Sequence, residues 1–146
     1  MMKSWLWSSG LFLLGYVVGT VVGFALYFVN EVLMWVGLFT LMPAVFAVLF
    51  YLYLGMVACP PETSLSEVIR VALYWSALSF LLDALVYIAV VPVIFGTPAN
   101  WGFFIDQSPW IWLSYLSIFA MGLAGRWLHL RRGTRARVSP EPAHSE

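Results

Sequence analysis

The chain has 146 residues, 62% of them hydrophobic and only 10% charged, against about 25% charged in ordinary soluble domains. Seven Lys and Arg balance seven Asp and Glu, and there is one cysteine. These figures exclude a nucleic-acid-binding protein, a disordered chain and a disulfide-stapled secreted domain, and describe a chain solvated by lipid. They name no activity.

A bilayer core about 30 Å thick needs about 20 apolar residues per spanning helix. From Ser4 to Ala58 the only charge is Glu31, and the stretch is too long for one helix. The break falls at Asn30–Glu31, giving spans at 5–29 and 32–57 joined as a tight antiparallel hairpin. Cys59-Pro60-Pro61-Glu62-Thr63 closes the second span, because proline has no N–H for a continuing helix. Ser64 and Glu67 then have the spacing of a capping box, so the third span is expected at 65–95. Residues 96–107 read as a loop rich in aromatics, with Trp101, Phe103 and Phe104. This loop either rests on headgroups or lies in the interface as a short amphipathic piece. Ser108-Pro109 signals another helix start, and the fourth span is expected at 109–130. The fold class is therefore an all-α, four-helix transmembrane bundle, with residues 1–130 as one domain. Residues 131–146, with Pro140 and Pro142, are expected to form a disordered polar tail. The first apolar run is longer than a signal-peptide core and is read as a retained helix.

Four spans place Lys3, Arg70, Arg126, Arg131, Arg132, Arg135 and Arg137 on one side, which is all seven basic residues. The excess of Lys and Arg marks the cytoplasmic face, so both termini are expected to be cytoplasmic and the membrane to be the cytoplasmic one. Glu31 and Asp106 lie on the opposite side. Trp5 and Trp7 at one interface, and Trp101, Trp110 and Trp112 at the other, suit the aromatic belts of membrane helices.

Helix association in lipid rests on close van der Waals contact and interhelical hydrogen bonds. Gly15, Gly19 and Gly23 recur every four residues, so all three lie along one groove. Their expected partner is span two, through its small residues Gly37, Ala44 and Ala47; the alternative is a second copy of the chain. Pro43 and Pro92 are expected to bend their helices statically, with a hinge or a cavity as the functional alternative.

Asp83 is the one acid deep within a span, about 20 Å along a helix from Arg70. Ser76, Ser79, Asp83 and Tyr87 are spaced 3, 4 and 4 residues apart and fall within an arc of roughly 80°. Ser114, Ser117, Met121 and Gly125 repeat that spacing on span four. The two stripes are expected to face each other, with Ser114, Tyr115 or Ser117 within reach of Asp83. No Lys, Arg or His lies at that depth, so the cheaper state is a neutral acid donating to a Ser, a Tyr or a backbone carbonyl. Two readings follow: an interhelical anchor, or a proton- or ion-handling site.

Other chemistry is sparse. One cysteine excludes a redox pair, and His129 and His144 have no acidic or histidine cluster, so neither a metal site nor a cofactor is expected. Cys59 is read as a small buried hydrophobe. The leading expectation is a non-enzymatic membrane protein serving as an accessory, assembly or small-ligand-binding module. The alternative is a proton- or ion-coupled transporter or channel using Asp83. The expected partners are the lipid bilayer and either a second copy or another membrane protein, with no nucleic acid.

Overall fold

The computed structural model describes residues 2–60 and 64–138, with helix and no strand among them. The elements in order are α1 (Met2–Tyr27), α2 (Glu31–Met56), α3 (Ser64–Asp83), a π-helical segment (Ala84–Val90), α4 (Val91–Phe95), α5 (Phe103–Asp106) and α6 (Trp110–Val138). Four stretches are long and apolar enough to cross a membrane: Ser4–Tyr27, Glu31–Met56, Ser64–Phe95 and Trp110–Arg132. The last residues of the tail, including Pro140, Pro142 and His144, lie outside the described residues. So do 61–63 and the side chains of Lys3, Arg135 and Arg137.

The breaks follow local chemistry. Asn30 is extended, and its side-chain oxygen accepts from the N–H groups of Val32 and Leu33 at 2.8 and 3.2 Å. It thereby satisfies donors that a helix start leaves free. At the other end of α2, the Cys59 N–H reaches the Leu54 carbonyl (3.0 Å) and the Ala58 N–H reaches that of Gly55 (3.2 Å). This is a Schellman closure, with Ala58 at φ 47° in the position glycine usually takes. Pro43 leaves α2 unbroken.

The third span, expected at 65–95, is Ser64–Phe95, within which α3, the π-helical segment and α4 follow end to end. Pro92 has no N–H to return to Ile88, and the Ile88 carbonyl instead accepts from Asn100 of the following loop at 3.2 Å. The backbone of α6 also stays helical to Val138, through residues expected to be disordered. Arginine is a good helix former, and two side chains are tied down: the Arg131 guanidinium lies 3.6 Å over the Trp127 ring, and Arg132 donates to the Tyr51 hydroxyl.

Contacts gather the start of α1, the end of α2, the start of α3 and the later part of α6 at one end of the bundle, here the terminal end. The Tyr53 hydroxyl donates to Glu67 (2.6 Å), which also accepts from Arg70 (3.0 Å), and Arg126 donates to Ser64 (2.8 Å). His129 Nε2 lies 3.2 Å from the carbonyl of Cys59, whose side chain is buried. Beneath these ties lies the core. Trp75 is fully buried, its ring centroid 4.3 Å from that of Phe50 and 5.9 Å from that of Phe12. Its indole N–H donates to Ser8, also fully buried, at 2.9 Å.

Helix approach depends on glycine at two crossings. At α1–α2, a Cβ on Gly15 would lie 2.7 Å from Leu49 Cδ1 and one on Gly19 would lie 3.0 Å from Met42 Cε, while one on Gly23 would have ordinary contact with Leu38. The groove on α1 thus receives large side chains of α2. Of the small residues expected to fill it, Gly37 meets Leu26 and Ala47 faces α6. At the α2–α6 crossing the contact is with backbone. A Cβ on Gly125 would lie 2.6 Å from the Ala47 carbonyl oxygen and 3.0 Å from the Tyr51 nitrogen, both backbone atoms.

Candidate functional site

Away from the terminal end, the four spans do not close on one another. They surround a cavity of about 370 Å³ that reaches from Met121 and Phe46 to the loop residues Asn100 and Gln107. Its α1 wall contains Gly15, Gly19 and Gly23. A Cβ at Gly15, Gly19 or Gly23 would meet side chains of α2, of which Phe46, Met42 and Leu38 also line the cavity.

Asp83 stands on the cavity wall, 7% exposed, at the junction of α3 and the π-helical segment. Tyr16 of α1 donates to its Oδ1 at 2.8 Å, and Tyr115 of α6 donates to its Oδ2 at 2.7 Å. The acid therefore ties together three of the four spans. Thr20 and Tyr87 stand beside the Tyr16 phenol on the same wall. Both carboxyl oxygens accept from phenols of neighbouring spans.

The other stripe residues divide. Ser79, Ser114 and Ser117 line the cavity with Tyr87 and Asp83. The Ser114 hydroxyl donates to the Ile111 carbonyl (2.7 Å) and that of Ser117 to the Ser114 carbonyl (2.6 Å), so neither bonds to the acid. Ser76 lies off the cavity and donates to the Tyr115 carbonyl at 3.3 Å, fixing α3 against the helix that carries the second phenol. Gly125 packs on α2, away from the stripe on α3. Tyr16 is the partner that reasoning from α3 and α6 missed. Its signal was depth: a tyrosine in the middle of an apolar helix is far from either interfacial belt and needs a partner for its hydroxyl.

The loop after α4 folds back over the opening. Thr97 N–H joins the Pro92 carbonyl at 2.8 Å, and the Asn100–Ile88 bond draws the chain inward. Phe103 stacks on Tyr87 with ring centroids 4.8 Å apart and planes at 6°, and Phe104 stacks on Phe80 at 4.8 Å. Trp101 and Ile105 stay exposed, at 81% and 79%. On the α2 side, Trp35 lines the cavity, and its Nε1 is buried with no hydrogen-bond partner.

Among the described residues, no group of three or more His, Cys, Asp or Glu side chains is placed to hold a metal ion. The arrangement can bind and orient a small molecule through one acid, several hydroxyls and aromatic faces. Neither a protein-family model, nor a curated protein, nor a solved structure matches the chain.

Proposed function

We propose that this chain is a multi-pass protein of the cytoplasmic membrane that holds a small, largely apolar molecule between its four spans, with Asp83 as the polar anchor. In this reading residues 1–130 form one transmembrane domain, α1 and α2 are a tight hairpin, and both termini are cytoplasmic. The side assignment is supported by the gathering of Arg70, Arg126 and Arg132 at the terminal end and by the preference of basic residues for the cytoplasmic face. The observation that carries the binding role is the cavity that reaches Asp83. A concave, mainly apolar space with a few converging polar groups is the usual form of a ligand site.

The test uses purified protein in micelles with N-phenyl-1-naphthylamine, a neutral apolar dye that brightens on leaving water. The expected result is saturable binding to one site, lost in Gly23→Phe, whose new ring fills the cavity, while that variant keeps the parent unfolding transition. A signal that only follows detergent concentration and ignores Gly23→Phe contradicts the reading.

A second reading, proton- or ion-coupled transport, is favoured by the position of Asp83 on the cavity wall. Intramembrane acids facing a cavity often mark such paths. Liposomes with a pH-gradient readout separate the two: transport requires a flux that Asp83→Asn abolishes, and binding alone gives none.

A further inference from the structure

We propose that the occupant is a lipophilic organic cation, an amine or quaternary ammonium whose charged head meets Asp83 and whose apolar body lies along the glycine wall of α1. This rests on reading the cavity as a ligand site and adds the class of ligand. Three observations point the same way. First, no Lys, Arg or His lines the cavity with Asp83. The basic side chains described are engaged at the terminal end: Arg70 with Glu67, Arg126 with Ser64, Arg131 over Trp127 and Arg132 with Tyr51. Among the described residues, none supplies a counter-charge to the acid at this depth.

Second, the acid's neighbours leave it receptive. A cation beside the acid favours its ionised form; the carboxylate then offers about four lone-pair sites, of which the phenols of Tyr16 and Tyr115 occupy one on each oxygen. A positive head can take the remaining capacity, and two fixed donors hold the carboxyl in place when the head arrives. An anion or a second carboxylate would meet an acid and no base. Third, the surroundings are aromatic. Phe24, Phe39, Phe46, Tyr87 and Phe103 line the cavity with Asp83. Aromatic faces attract cations and do so more strongly where water is excluded. An inorganic cation fits less well, because among the described residues no group of three or more His, Cys, Asp or Glu side chains is placed to hold one.

Benzyltrimethylammonium and its uncharged carbon isostere, 2,2-dimethylpropylbenzene, test the claim directly because they differ in charge and hardly in shape. Each is titrated against the bound dye in the native protein, at concentrations corrected for micelle partition. The expected result is displacement about tenfold stronger for the cation, as a charged head beside an acid and aromatic faces implies. In Asp83→Asn that preference should collapse to about onefold while the isostere's affinity is unchanged. Equal displacement by both compounds in the native protein overturns the cation assignment and leaves the ligand site standing. Absence of any saturable dye binding overturns both. The native comparison needs no variant, so it decides the matter even if Asp83→Asn does not fold.

Discussion

At the terminal end of the bundle, Phe12, Phe50 and Trp75 fill the space between the spans, and the buried Ser8 hydroxyl meets the indole N–H. At the loop end, the same spans stand apart around a cavity lined by glycines, an acid and hydroxyls. The difference lies in what each helix presents along its length. α2 offers Phe46, Leu49, Phe50 and Leu54 toward the terminal end, large groups that close the core. α1 offers glycines at Gly15, Gly19 and Gly23, which close nothing beyond their contacts with α2. The third span changes character at the boundary, as α3 ends at Asp83 and the π-helical segment begins. Such segments are common at functional sites. One half is closed by large side chains and the other surrounds a cavity.

Substitutions should separate the two halves, and the largest effect is expected in the closed one. Trp75→Ala removes the central ring and leaves Ser8 without its donor. Unfolding in mixed detergent should show a loss near the low end of ~3–5 kcal/mol, since the unfolded chain keeps its apolar groups in detergent. Gly125→Ala comes next. Its methyl would press on backbone atoms of α2, which cannot move aside as a flexible side chain can, and about 1–3 kcal/mol should be lost. In the same assay Tyr16→Phe and Tyr115→Phe should each cost about 0.6 kcal/mol, up to ~1.7, the scale of hydrogen bonds between membrane helices. Their mark is expected instead in ligand binding. Gly23→Ala, where the new carbon has only ordinary contact with Leu38, should change stability by less than about 0.5 kcal/mol. A Gly23→Ala variant as damaged as Gly125→Ala would break the contrast between the halves.

The four spans were legible in the sequence because apolar run length and the signals at Asn30 and Ser64 are local properties. Asp83 stood out for the same reason, as a lone acid in an apolar stretch. The site as built was less legible, because it depends on which faces meet. Tyr115 was among the partners expected for Asp83, whereas Tyr16 comes from a helix that was paired only with α2. Ser114 and Ser117 look available on a helical wheel, yet a mid-helix serine readily bonds to its own preceding turn, and both do. The glycine repeat reads as a groove, but nothing local says that part of the groove is left empty. Pro92 signals a disturbance without showing that a loop N–H will take the carbonyl it frees.

The contrast between a closed and an open half is tested most directly by thiol accessibility in membranes. In a Cys59→Ser background, Ser79→Cys and Ser114→Cys probe the cavity wall, and Ser8→Cys and Ala72→Cys probe the closed core. A small methanethiosulfonate reagent should modify the first pair readily and the second pair only after unfolding. Equal protection at all four positions, or faster reaction at Ser8→Cys and Ala72→Cys, would contradict the account.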